Sequence, residues 1–474
     1  MTTNRFLLIA LLLGAIIPVQ AQEKLAAATT PAAALTPPPV PAASSTWGGD
    51  FRVRYESYAN AQTLSSLAPF NDRDYFRVRL RVWETTNPAP GLSFYGRISA
   101  EPRYWYSAVR PNPGHGEEWK YAIVDNLNAT WTNNFNGLPI TVILGRQDIQ
   151  LGDQWLVSDG TPIDGSWTNH FDGLRVTLDA KSIKTKFDVI VLNQQARPGD
   201  RLPVLGNHRD HAGADYCLTE QDETGVIVYA SNKSIKNVQI DGYFISKDDT
   251  KVASTGDNAA IYTLGAKVSG TPTAHWLYSA EGAYQFGNRD LTVRYPVTVT
   301  GSRDISAYGF NAKLAYLFKD SLSNQVALIA EYLSGDKAGT TGKDEMFDVL
   351  WGRYPRIGET WAVAYSTETG GRNAQYNNLG RLGATWTISP MKSTSIAATY
   401  CAMFAPESKP TRTTNAARFS GDGHFRGNMY QVVVKQKITS TLSGLLFAEV
   451  SPLGDFYARR NTISFVRAEV MLTF

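Results

Sequence analysis

The chain has 474 residues, 43% of them hydrophobic and only 19% charged, where soluble domains carry roughly a quarter. Its 11% aromatic content, 39 glycines and mean hydropathy of −0.25 exclude a coiled coil, a disordered chain, a Leu/Ala/Glu/Lys-rich helical fold and a polytopic helical membrane protein. A net charge of +3 makes no case for nucleic acid, and Cys217 and Cys401 alone form neither a disulfide framework nor a thiolate zinc site.

Residues 1–21 carry Arg5, an apolar run from Phe6 to Ile17 and the small-x-small ending Val19-Gln20-Ala21. This is the pattern of a secretory signal peptide cut after Ala21. The run falls short of the roughly 20 apolar residues a spanning helix needs. Residues 22–46 are mostly Ala, Thr and Pro, including Pro37-Pro38-Pro39, and read as a solvated periplasmic tether.

Residues 47–474 show recurrent period-2 alternation. Phe76, Val78, Leu80 and Val82 interleave with Arg77, Arg79 and Arg81, and Tyr308, Phe310, Ala312 and Leu314 with Gly309, Asn311 and Lys313. Successive strand residues point to opposite faces, so one face is apolar and the other wet and charged. The expected segments are 50–58, 75–84, 92–105, 119–133, 139–147, 170–180, 185–194, 223–233, 236–246, 260–269, 275–287, 304–318, 323–333, 377–388, 393–405, 426–438, 441–450 and 460–474, about 18 strands.

A soluble sandwich and a transmembrane barrel both give such alternation. Three details favour the barrel. Many segments run to about ten residues, the length of a tilted membrane strand. Aromatics gather near strand ends, at Tyr104-Trp105-Tyr106, Trp131, Trp276, Trp386 and Tyr400, as in interfacial girdles. Three arginines on one face suit a wet lumen better than a dry core. Connections alternate short and long, the longest near 334–376, giving short periplasmic turns and long external loops. The expected fold is all-β, a transmembrane antiparallel barrel in the bacterial outer membrane. The closing segment Phe465–Phe474 alternates and ends in Phe, resembling the terminal strand read by the barrel insertion machinery.

The middle of the chain carries a family resemblance. Leu144-Gly145-Arg146-Gln147 precedes Leu151-Gly152-Asp153, then Trp167, Asn169 and His170-Phe171-Asp172-Gly173-Leu174-Arg175. This is similar to the core of the alginate export family of outer-membrane porins. Leu333-Ser334-Gly335-Asp336, Phe347-Asp348, the stretch around Gly358 and Asn378-Leu379 resemble the family's long seventh loop and the strand after it. The resemblance implies a monomeric 18-stranded barrel with an arginine-rich pore that passes a polyanionic polysaccharide, with outer-membrane lipids and periplasmic export components as partners. Strict alternation puts Arg146 on the lipid side with Leu144, whereas a bulge at Gly145 turns it inward.

The pore-lining candidates are Arg52, Arg54, Arg77, Arg79, Arg81, Arg97, Glu101, Arg103, Arg146 and Arg175. A lumen walled by fixed cations concentrates anions, and guanidinium groups bind carboxylates bidentately. The other reading is that these arginines pair with Glu56 and Glu101 inside a plugged lumen. No catalytic set and no cofactor motif is recognised. Gly-x-Ser-x-Gly is missing, and Gly342-Lys343 lacks a phosphate-loop context. His208 and His211 with Asp215 and Cys217 read as a solvated loop, and Asp336, Asp344, Glu345 and Asp348 lack EF-hand spacing. The expected function is an anion-selective outer-membrane channel for a polyanionic polysaccharide or oligosaccharide. The alternatives are a small-anion porin, for phosphate or sugar acids, and an outer-membrane enzyme or surface receptor.

Overall fold

The computed structural model describes residues 43–67, 72–105, 116–118, 122–158, 170–197, 199, 201–202, 204–205, 217–290, 301–352, 356–369, 375–410 and 415–474. The signal peptide, most of the tether, Tyr106, Trp167 and the His208–His211 loop lie outside these residues.

Eighteen strands form the wall: β1 (Ser44–Ala59), β2 (Asp72–Ala89), β3 (Leu92–Ala100), β4 (Ala122–Phe135), β5 (Leu138–Gln147), β6 (Phe171–Ala180), β7 (Thr185–Gln194), β8 (Gln221–Asn232), β9 (Val238–Lys251), β10 (Asn258–Gly270), β11 (Trp276–Asp290), β12 (Ser302–Leu317), β13 (Gln325–Leu333), β14 (Leu379–Met391), β15 (Thr394–Phe404), β16 (Phe425–Lys437), β17 (Leu442–Pro452) and β18 (Thr462–Thr473). Each pairs antiparallel with its sequence neighbours, and β1 pairs with β18 to close the ring. Closure leaves no open edge, which a lipid-exposed sheet requires.

Each expected segment coincides with one of these strands. Several boundaries move by a few residues, as where 75–84 extends to Asp72–Ala89 and 236–246 to Val238–Lys251, and two of the shifts change the reading. β1 begins at Ser44, so the last three residues of the expected tether are strand, paired with Thr85–Asn87. The single segment 92–105 breaks at Glu101-Pro102 and resumes as the short strand Arg103–Trp105, because proline cannot donate to the ladder. Short turns occupy one end of the barrel. Asn136-Gly137 forms a two-residue hairpin turn with φ of 49° and 84°, as a type I′ turn demands.

The outer face is apolar. Phe51, Val53, Leu80, Val82, Phe94, Leu144, Val189, Val191, Leu264, Leu314, Leu328 and Leu382 all point outward and are exposed. Of the expected girdle, Tyr104, Trp131, Trp276, Trp386 and Tyr400 are exposed. Trp105 is not: it is buried against Tyr75, with ring centroids 4.7 Å apart.

The inside is filled at the long-loop end. Residues 148–158 and the described residues between Leu333 and Leu379 fold inward instead of standing above the rim. Trp155 stacks on Phe347 at 5.3 Å, and Val157-Ser158 pairs in parallel with Trp351-Gly352. Among the described residues after Leu333 is the helix α1 (Glu359–Glu368), whose N-terminal amides rest on Glu449 of β17. Indole nitrogens anchor the filling to the wall, Trp155 donating to Glu331 at 3.1 Å and Trp351 to Glu223 at 2.8 Å.

These faces give a direct expectation. Leu80 is 45% exposed on the outer face, while Arg79 is 3% exposed inside. Leu80→Arg should cost about 2–4 kcal/mol near mid-membrane and lower the yield of heat-modifiable barrel in detergent. Arg79→Leu should lower it less, since Asp50 keeps Arg81 as a partner. The reverse order would show the faces to be misassigned.

Candidate functional site

The inward residues of β18, β1, β2 and the stretch after β3 form one continuous charged sheet. Arg52 and Arg54 stand directly across from Arg79 and Arg77 on the ladder. Cationic side chains facing each other at that spacing repel. Carboxylates set between them relieve the repulsion. Arg54 donates to Glu469 at 2.6 Å and to Glu56 at 3.3 Å. Arg77 donates to Glu101 at 2.9 Å and to Glu56 at 3.1 Å. Arg79 and Arg81 share Asp50 at 3.1 Å and 2.7 Å. Arg52 reaches Glu101 at 3.4 Å and Glu469 at 3.8 Å, and Arg103 reaches Glu101 at 3.4 Å. Arg467 of β18 joins them, 2.6 Å from Glu56 and 3.0 Å from Glu359 of α1.

The other three candidates sit apart, each with its own carboxylate partners. Arg97 donates to Asp125 at 2.8 Å and to both oxygens of Asp148. Arg175 donates to Asp188 at 2.8 Å. Arg146 holds Asp172 through two nitrogens, at 2.7 and 2.9 Å, and Val124 O through the third. The two motifs of the middle segment are therefore one structure. Gly145 lies across from Gly173, Arg146 from Asp172 and Gln147 from Phe171. No bulge forms at Gly145, since the register with both neighbouring strands runs through it unshifted. Arg146 keeps the parity of Leu144, opposite Leu127, and is nevertheless only 3% exposed.

The wall is thus a cationic network with carboxylates built in, not a bare row of arginines. Sequence reasoning named Glu56 and Glu101 and quoted Asp172 only as part of the family motif, but missed Asp50, Asp125, Asp148 and Asp188. Asp50 was within reach, two residues before Arg52 on the same face. The others depend on cross-strand register, which one strand's pattern does not reveal.

Half the circumference away the balance inverts. Lys247 is held by Glu223 at 3.2 Å and by Asp249. Arg289 is shared by Asp257, Asp344 and Asp348 at 3.6, 3.0 and 2.7 Å. The acids that lack EF-hand spacing are engaged by bases: Asp344 and Asp348 by Arg289, and Glu345 by Lys337 at 3.1 Å. Asp153 is pushed up by burial, but hydrogen bonds from Lys267 and Ser279 outweigh that and hold it below the usual carboxylate range. Among the described residues, no group of three or more His, Cys, Asp or Glu side chains is arranged to hold a metal ion.

A closed antiparallel barrel, apolar outside and lined with charge inside, has the architecture of the outer-membrane porins. Residues 45–470 match the alginate export family, and the chain belongs to it. No curated protein matches the sequence. Solved structures show the same fold at low identity. A BenF-like porin from Pseudomonas fluorescens Pf-5 is 9% identical with a TM-score of 0.56, over 91% of this chain and 98% of that one. OccAB1 of Acinetobacter baumannii is 11% identical at 0.55, over 91% and 96%. OccD3 (OpdP) of Pseudomonas aeruginosa is 8% identical at 0.52, over 91% of each chain.

Proposed function

We propose that the channel selects anions and passes a polyanionic polysaccharide or oligosaccharide. One observation carries the reading: seven arginines, Arg52, Arg54, Arg77, Arg79, Arg81, Arg103 and Arg467, share Asp50, Glu56, Glu101 and Glu469, with Glu359 added from α1. The surplus of guanidinium charge draws anions to this sector. Family membership adds the polymer. In this reading the protein is a monomer exported by its signal peptide and delivered by the barrel insertion machinery. Its tether reaches into the periplasm toward export partners. A small-anion porin is the second reading, favoured by the inward segments that narrow the path.

Replacing Arg77, Arg79 and Arg81 together with Gln tests it. In a planar bilayer the wild type should prefer Cl⁻ over K⁺, and the triple variant should lose much of that preference. The preference should weaken as salt rises, since charges are screened over about 8–10 Å at physiological ionic strength. Carboxylated oligosaccharides should block the wild-type current more than neutral ones of equal size. A cation-selective pore, or selectivity indifferent to the substitution, refutes the anion reading. Anion selectivity without oligouronate block favours the small-anion porin.

A further inference from the structure

Two short turns at the periplasmic end carry the same four residues. Lys181-Ser182-Ile183-Lys184 joins β6 to β7, and Lys233-Ser234-Ile235-Lys236 lies between β8 and β9. The two turns are neighbours and are fastened to each other. Thr185, at the start of β7, is registered opposite Asn232, at the end of β8. The Asn232 amide donates to Ile183 O at 3.1 Å and to Thr185 Oγ1 at 2.7 Å. Its side-chain oxygen accepts from the amide and the hydroxyl of Ser234, at 3.0 and 2.6 Å. Lys233 N donates to Lys184 O at 2.9 Å. The turns therefore form one platform with a fixed backbone, and all eight residues of the repeated motif are exposed on it.

What the platform displays is unusual for a turn. Ile183 and Ile235 are 55% and 53% exposed, each beside lysines. Among the described residues none of the four lysines is paired with a carboxylate, and the nearest acid in sequence, Asp179, is registered opposite Lys186. The two hairpins are two strand spacings apart, about 10 Å. That is close to the screening length of about 8–10 Å at physiological salt, so the four charges act together on one ligand. The other short turns do not repeat the pattern. Residues 90–91, 136–137 and 439–440 carry no charge, 389–392 has only Lys392, and 319–322 sets Asp320 beside Lys319.

The position of the platform selects its ligand. The ladder row of Asn232 runs on through Ile240 and Val268, both exposed on the apolar outer face. The lysines lie one turn beyond that row, where hydrocarbon gives way to headgroups. Lysine beside an exposed aliphatic side chain suits this boundary, the apolar part entering the acyl region while the ammonium stays among phosphates. An acidic protein surface would match the charge equally well. The lipid is favoured because phosphates surround the barrel at this depth and the isoleucines find hydrocarbon within reach. We propose that the twin turns are a binding site for anionic phospholipid of the periplasmic leaflet. The four ammonium groups hold its phosphate oxygens, and Ile183 and Ile235 anchor at the base of its acyl chains. A zwitterionic lipid binds less well, because its own ammonium group competes with the lysines. The proposal rests on the barrel fold and not on what the pore passes.

Native mass spectrometry of the full-length protein in a neutral detergent, titrated with phosphatidylglycerol and with phosphatidylethanolamine of the same acyl chains, tests the site. The wild type should bind phosphatidylglycerol at least fivefold more tightly, and the preference should fall as salt rises. Lys181→Gln, Lys184→Gln, Lys233→Gln and Lys236→Gln combined should bring it below twofold. The same four positions changed to Arg should keep it. Ile183→Ser with Ile235→Ser should weaken both lipids alike. Heat-modifiable migration checks that each variant is folded, and the salt series on the wild type needs no variant. A wild type without preference, a preference that ignores salt, or a folded Gln variant that retains it overturns the site. Loss in the Arg variant as well overturns recognition by charge. If the wild type shows no lipid preference but is retained by immobilised polyglutamate, and the Gln variant is not, the turns serve an acidic protein and the lipid reading falls.

Discussion

Releasing both ends of α1 is expected to raise single-channel conductance several-fold. The helix lies inside the barrel against β17 and β18 and is clamped at each terminus by a wall residue, from β17 at one end and from the adjacent β16 at the other. At its N-terminus the Glu449 carboxylate accepts from the amides of Glu359 and Thr360, both at 3.0 Å. An anion there compensates the positive end of the helix and caps donors that have no intrahelical partner. Gly358, at φ +100°, brings the backbone within reach, since a Cβ there would lie 2.6 Å from Glu449. At the C-terminus Arg426 donates to Glu368 at 2.6 Å, and its guanidinium lies over the rings of Tyr365 and Phe456 at 4.8 and 4.2 Å. Breaking a buried pair by removing one partner costs about 3–5 kcal/mol. Removing an N-terminal cap adds about 1 kcal/mol. That loss falls on the helix and not on the strand ladder, so Glu449→Ala with Arg426→Met should leave a closed barrel with a looser interior. Bilayer recordings beside heat-modifiable migration measure both. Unchanged conductance in a properly migrating variant would show that α1 does not restrict the path.

Gly145→Val should abolish barrel assembly, the largest effect expected of any single residue considered. Gly145 sits mid-ladder at φ +118°, where a β-branched residue is strongly disfavoured. A Cβ would lie 2.4 Å from Leu127 O, a backbone atom held by the neighbouring strand. Neither contact can relax without moving β4 away from β5. The paired position Gly173 is equally tight, with Val191 O at 2.2 Å. Gly137, in the Asn136-Gly137 turn, has nothing within 4 Å of its Cβ position. Gly137→Ala should therefore cost only about 1 kcal/mol, from its positive φ. The yield of heat-modifiable barrel after refolding ranks the two. Comparable yields would mean that the backbone at Gly145 adapts.

The barrel was legible because a membrane wall imposes one rule on every strand. An apolar residue at each outward position and a polar one at each inward position leave an alternation that survives without any knowledge of neighbours, as at Phe76–Val82. The charged faces were legible for the same reason. What one strand does not disclose is who stands across from it. Arg79 and Arg81 look like free cations until β1 is laid beside β2 and Asp50 falls between them. Arg146 resisted alternation altogether, since its burial comes from Asp172 on the next strand. The inward fold of 148–158 and of the segment around α1 was illegible too. Trp155, Trp351 and Trp361 carry no periodic signal, and only the closed wall around them shows that their apolar surface has an inside to fill.

The opposed composition of the two sectors has an effect on anything that passes between them. In an 18-membered ring β1 faces β10. Around β1, each acid is divided among several arginines. On β9 and β11, Lys247 and Arg289 are each divided among several acids. The interior is accordingly polarised at right angles to the barrel axis, and its low-dielectric walls confine the field lines between the two sectors. Such a field exerts torque as well as attraction. It orders water dipoles across the passage and turns an asymmetric solute so that its electronegative edge leads toward the guanidinium side. Orientation is thereby fixed at the cost of tumbling, and two solutes of equal size and equal net charge, differing only in how that charge is distributed, travel at different rates.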